Sequence, residues 1–153
     1  MVEYKINTAS AEEIMAFLKE RDGDFVPVLS SRVNPDEYAV KLKNNAVNFE
    51  AWDSGKLLGV VSVYMNNFDT MQAFIPMVCV APELRGKGVA RRLMHDFINA
   101  AYAKGFFESK LEVDKNNVYA IALYESLGYK LESQEGNSYF MVRKGQEDEQ
   151  KNA

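Results

Sequence analysis

The residues whose types and spacing best suit chemistry run from Arg85 to Ala90, as Arg85-Gly86-Lys87-Gly88-Val89-Ala90, with Arg91 and Arg92 directly behind. Ahead of them, Met77 to Val80 is a short apolar run of strand-forming residues that Ala81-Pro82 ends, since proline brings no N–H to a ladder. Behind them, Val89, Ala90, Leu93, Met94, Phe97, Ile98 and Ala101 recur at helical spacing to about Lys104. A strand, a glycine-rich turn and a helix N-terminus in that order build an anion site. The first amides of a helix have no intrahelical acceptor, and the helix dipole is positive there. Gly86 and Gly88 carry no Cβ that would hold a phosphate off the backbone. The expected ligand is a phosphorylated cofactor.

The spacing narrows the choice. A nucleotide P-loop requires Ser or Thr after Gly-Lys, and here Lys87 is followed by Gly88 and Val89. A dinucleotide fingerprint requires a third glycine, where only Ala90 stands. The order Arg85-x-x-Gly88-x-Ala90, preceded by Val78-x-Val80-x-Pro82, resembles instead the acyl-CoA diphosphate loop of the GNAT family of N-acetyltransferases. A second block, Asn117-x-x-Ala120-x-x-Leu123-Tyr124-x-x-Leu127-Gly128-Tyr129, is similar to the next segment of that family at the expected distance. The likeness covers Val47 to Tyr129 well and the ends only in element order. It departs at Ala90, where glycine is common, and at Tyr129, where phenylalanine is common.

The resemblance implies a set of roles. Arg85, Gly86, Lys87, Gly88, Val89 and Ala90 would hold the diphosphate of acetyl-CoA, and the Val78-Cys79-Val80 strand would border its pantetheine arm, Val78 and Val80 supplying main-chain partners. Asn117 would either contact the arm or cap its own helix, two uses that are compatible. Tyr124 would protonate the departing thiolate, which a phenol of ordinary pKa near 10 can do. The plainer reading of Tyr124 is an amphipathic core residue on the Ala120, Leu123, Leu127 side. Tyr119, five residues away, faces another direction. The implied reaction moves an acetyl group to a primary amine of a small-molecule or peptide acceptor by direct attack. A CoA-binding sensor of the same fold that has lost turnover is the rival from another class.

The other reactive side chains read as bland. Cys79 sits on an apolar strand with no histidine near it in sequence, and so as an inert buried thiol. His95, among Arg91, Arg92, Asp96 and Asn99, is on the polar side of its helix. Glu50, Asp69, Gln72 and Glu112 lie on or beside strands and read as solvated, so none is named as a base.

Those residues need a scaffold, and 153 residues suffice for one domain, expected over 1–144, that buries roughly two-thirds of its unfolded surface. The single cysteine excludes an intramolecular disulfide, and with one histidine no metal centre is expected. A formal charge of −4 argues against nucleic acid. From Glu83 to Lys104, however, Arg85, Lys87, Arg91, Arg92 and Lys104 oppose only Glu83 and Asp96. No stretch approaches a membrane span and no signal segment opens the chain, so a cytoplasmic enzyme is expected. Oligomeric state is open, a homodimer included.

Along the chain, Val2, Tyr4 and Ile6 alternate with Glu3 and Lys5 as a strand with one buried face. Ser10 and Glu13 form a capping box ahead of a helix carrying Ile14, Phe17 and Leu18. Asn34-Pro35 opens a second helix to about Asn44. Val47 to Ala51 alternates, Asp53-Ser54-Gly55-Lys56 turns, Leu57 to Met65 is an apolar strand, and Met71 to Ala81 returns to the glycine loop. Pro76 should interrupt pairing there. A strand at Leu111 and Val113, a helix from Val118 to Leu127 stopped by Gly128, and a hairpin turning at Gly136-Asn137 complete the domain. The acidic tail from Gly145 is expected to be disordered. The fold class is α/β (α+β), with a mixed, mostly antiparallel sheet of about six to seven strands flanked by about four helices.

Overall fold

A computed structural model describes residues 1–145, so the tail expected beyond Gly145 lies outside the described residues. The strands are β1 (Glu3–Ile6), β2 (Val47–Asp53), β3 (Lys56–Tyr64), β4 (Gln72–Val80), β5 (Glu108–Asp114), β6 (Lys130–Glu135) and β7 (Ser138–Lys144). The helices are α1 (Ala11–Glu20), α2 (Pro35–Asn45), α3 (Val89–Ala103) and α4 (Val118–Ser126). The seven strands form one sheet in the order β1-β2-β3-β4-β5-β7-β6, with β4 and β5 parallel and β1-β2, β2-β3, β5-β7 and β6-β7 antiparallel. Among the described residues no helix is long and apolar enough to cross a membrane.

The chain divides into two compact units, the first Met1–Val63 with Met77–Asp96, the second Tyr64–Pro76 with Phe97 onward. In the first, α1 starts where the sequence directs: Ser10 Oγ accepts from Glu13 N at 3.1 Å and Glu13 Oε1 from Ser10 N at 2.9 Å, closing the capping box. Asn34 caps α2 through Asp36 N at 2.9 Å, with Pro35 first in the helix. Buried in this unit are Ile14, Phe17 and Leu18 of α1, Leu42 of α2, Phe49, Val60 and Val61 of the sheet, and Leu93 and Met94 of α3. Gly59 sets how closely these layers approach. A Cβ there would stand 3.3 Å from Ala51 Cβ and 3.5 Å from Leu93 Cδ1, tight enough that a neighbour would have to give.

Two expectations are corrected in this unit. β1 has no buried apolar face: Ile6 is exposed, and Tyr4 is covered by the Arg92 guanidinium, 4.1 Å from its ring centroid. β2 is buried on both faces, so Asn48 and Glu50 are inside rather than solvated. Glu50, at 0% exposure, accepts from Thr8 Oγ1 (2.6 Å), Thr8 N (3.1 Å), Ala9 N (3.0 Å) and Trp52 Nε1 (3.0 Å). Its carboxylate thereby satisfies the backbone that turns from β1 into α1. Asn48 accepts from Ser62 Oγ at 2.6 Å and donates to the Leu42 carbonyl at 3.1 Å, tying β2 to β3 and α2.

In the second unit the parallel register of β4 with β5 runs from Gln72↔Glu108 to Ile75↔Leu111, and Pro76, next in line, has no N–H to extend it. β5 lies against β7 along its full length, from Glu108↔Lys144 to Asp114↔Ser138. Gly128, at φ +97°, ends α4 as expected, with Tyr129 N donating to the Tyr124 carbonyl at 3.0 Å. Arg143 Nε donates to the Leu127 carbonyl at 2.8 Å, which ties β7 to that helix end.

Replacing Glu50 with Gln keeps the shape but puts an amide N–H₂ among donors. We expect Glu50→Gln to lower unfolding free energy by about 1–3 kcal/mol. The check is a denaturant midpoint, which an unpaired surface carboxylate would leave unmoved.

Candidate active site

The glycine loop belongs to the first unit. After Val80, Ala81 N donates to the Leu58 carbonyl of β3 at 2.7 Å. A 3₁₀ turn at Pro82–Leu84, unforeseen from the sequence, then drops Leu84 into the core. Leu84 N and Arg85 N are taken by the carbonyls of Ala81 and Pro82, at 3.0 and 3.2 Å. Gly86 and Gly88 follow at φ +76° and +75°, a region that residues with a Cβ enter only under strain. At both, nothing lies within 4 Å of where a Cβ would sit. These glycines are therefore required by the turn of the chain, and the space over them is open.

Arg92 N donates to the Gly88 carbonyl at 3.0 Å, closing the first turn of α3. Earlier amides of that turn have no acceptor four residues back. Val89 is buried and anchors the turn, while Arg85, Gly86, Lys87 and Gly88 are exposed and Ala90 half-buried. The loop thus offers main-chain N–H groups, positive helix-dipole potential and the Lys87 side chain on an exposed segment. That arrangement suits a diphosphate.

The charge is less concentrated there than the sequence count suggests. Arg92 turns to Asp96, its Nε 3.1 Å from Oδ1, and covers Tyr4. Arg85 turns back, Nε donating to the Val80 carbonyl at 3.0 Å and a terminal nitrogen to Asp24 Oδ2 at 2.9 Å. The Val80 carbonyl, expected to meet a cofactor arm, therefore already accepts one bond. Val78 and Val80 are half-buried and Cys79 between them is buried. Burial, then the Asp24 charge, push the Cys79 thiol from 9.0 up to about 12, against a smaller opposing effect of Arg85 and Arg21. So protonated a thiol is no nucleophile near neutrality. His95 is exposed on α3.

Asn117 and Tyr124 belong to the second unit. Asn117 caps α4, its Oδ1 accepting from Ala120 N at 3.3 Å. Tyr124 is 6% exposed and meets the Tyr129 ring edge-on at 6.0 Å, whereas Tyr119 is 88% exposed. Tyr129 Oη and Ser109 Oγ share a hydrogen bond of 2.6 Å. Burial pushes the Tyr129 phenol from 10.0 up to about 12, against a smaller lowering by Ser109 and Arg143. Of the side chains considered as bases, Glu50 is held by core donors, Asp69 and Glu112 are exposed, and Gln72 donates to Glu108.

A family model, the acetyltransferase (GNAT) family, matches residues 11–129. The chain belongs to this family. It is 34% identical over 82 residues to the N-alpha-acetyltransferase MAK3 of Arabidopsis thaliana, covering 53% of this chain and 43% of that one. It is 30% identical over 104 residues to the [ribosomal protein bS18]-alanine N-acetyltransferase of Escherichia coli (strain K12), covering 67% and 66%. The chain thus spans between 43% and 66% of the length of these relatives. Among solved structures, a paia N-acetyltransferase from Thermoplasma acidophilum in complex with coenzyme A superimposes with TM-score 0.73 at 16% identity, covering 93% of this chain and 99% of that one. The E. coli ribosomal-protein-S18-alanine N-acetyltransferase does so with TM-score 0.74 at 21% identity, covering 94% of each. These structures share the GNAT fold of mixed sheet and helices.

Both raised groups have a consequence for stability. Cys79 and Tyr129 lose their protons at lower pH in the unfolded chain than in the folded one, so the unfolded chain binds fewer protons as pH climbs. The stability they contribute is fully present below about pH 9 and is lost as pH rises toward 12. We expect Cys79→Ala to flatten the decline from its lower end and Tyr129→Phe from about pH 10 upward. Denaturant midpoints across alkaline pH provide the check.

Proposed function

We propose that the chain is an acetyl-CoA-dependent N-acetyltransferase acting on a primary amine, with a protein or peptide N-terminus as the favoured acceptor class. The observation that carries this reading is the pair of left-handed glycines at the mouth of α3, open where a Cβ would stand, in a chain of the GNAT family. That cradle fits the diphosphate of CoA. Arg85 to Ala90 would hold it, Val78 to Val80 would border the arm, and Asn117 would add a polar contact while keeping its cap. The acceptor class rests on two relatives, one named an N-alpha-acetyltransferase and one named for a ribosomal-protein alanine.

Bound acetyl-CoA supplies the acyl thioester. The amine nitrogen forms a bond to the acyl carbon as the carbon–sulfur bond breaks, and the ammonium proton passes to water. Tyr124 holds the proton that the departing thiolate needs, at its Oη. Its role here comes from its place in the family's second block. The Cys79 thiol is too weak an acid for an acyl-enzyme route.

The test is thiol release from acetyl-CoA with a panel of peptides differing in their first residue, beside polyamines and amino sugars. Tyr124→Phe is expected to lower kcat by about a hundredfold while CoA affinity stays within about twofold. CoA binding with no amine-dependent thiol release would favour the sensor reading instead.

A further inference from the structure

The segment from Arg21 to Ser31 contains two aspartates that do different work. Asp22 closes the segment on itself, Oδ1 accepting from Ser30 N at 2.7 Å and Oδ2 from Ser30 Oγ at 2.8 Å. Ser31 N and Oγ both donate to the Val28 carbonyl, at 3.0 and 2.6 Å, and Leu29 is the side chain buried beneath. Asp24 faces outward from this closed loop. Its Oδ2 is 2.9 Å from an Arg85 terminal nitrogen and 3.6 Å from Arg21 Nη1. Arg85 in turn donates from Nε to the Val80 carbonyl at 3.0 Å. One planar guanidinium therefore joins the segment to the end of β4 across 61 positions of sequence. Two donors with fixed directions on one plane specify an orientation, which an ammonium at position 85 would not.

We propose that Asp24 is a positioning residue for the cofactor loop: through Arg85 it ties the Arg21–Ser31 segment to the loop's entry, so that CoA uptake and ordering of that segment favour one another. This rests on the reading of Arg85 to Ala90 as the diphosphate loop. A ligand that fixes the loop fixes Arg85, which restricts Asp24 and the segment behind it. By linkage, a segment already held in place favours the ligand by the same factor. The exposed ion pair alone is weak, so the effect should be small but specific to this pair.

The readout is amide hydrogen exchange at Ser30 and Ser31, with and without CoA, beside calorimetry with CoA on the same protein. In the wild type, CoA should slow both amides by on the order of threefold. Asp24→Asn should still take up CoA, with Kd within about threefold, yet lose that slowing, and Asp24→Glu should restore it. If Asp24→Asn binds CoA several-fold tighter, Asp24 is only a counter-ion competing with phosphate, and the proposal is overturned. It is equally overturned if the slowing persists in Asp24→Asn. A wild-type chain that takes up no CoA overturns the functional reading and this coupling together, whereas the other two results arise with CoA bound and leave that reading standing.

Discussion

The first amides of α3 cannot be satisfied by α3 itself, and the first unit fixes the helix start that carries them. β4 ends with Ala81 N on the Leu58 carbonyl, Pro82–Leu84 forms a single turn, and buried Leu84 and Val89 pin the loop at both ends. Between the pins the chain reverses at φ angles near +75°, which glycine adopts at least cost. Leu93 and Met94 pack one turn further on, and Gly59 admits Leu93 close to the sheet. An anion site made of main-chain amides is only as well defined as the helix start that carries them, and here core contacts fix that start.

Glu50 shows the same economy applied to stability. A carboxylate with 0% exposure costs several kcal/mol to desolvate unless its oxygens are filled. Here Thr8, Ala9 and Trp52 fill them with charge-assisted bonds. Two of those donors are backbone amides immediately before α1, so the acid also fixes where that helix begins. Asn48 does comparable work among β2, β3 and α2. These buried polar groups join elements that the apolar core alone would leave free to slide.

Much of the architecture is legible in local signals. Ser10-Glu13, Asn34-Pro35, Asp53-Ser54-Gly55-Lys56, Gly128 and the break at Pro76 each act over a few residues, so their types suffice to place the elements. Glu50 reads as solvent-facing because strand alternation assumes one wet face, and β2 has none. Its partners Thr8 and Ala9 lie 42 and 41 positions away, and no local pattern carries that. Arg85 and Arg92 were legible as charges but not as geometry: a count places their charge at the loop, while Asp24, Val80, Asp96 and Tyr4 draw their guanidinium groups elsewhere. The loop glycines were legible because the backbone conformation there admits little else.

The most direct measurement is the set of backbone amide resonances of Gly86, Lys87, Gly88, Val89 and Ala90 during a CoA titration. The account predicts that these five signals move together and saturably, and that inorganic pyrophosphate moves the same five more weakly. Unmoved loop signals while CoA binds elsewhere, or no response at about millimolar CoA, would contradict it.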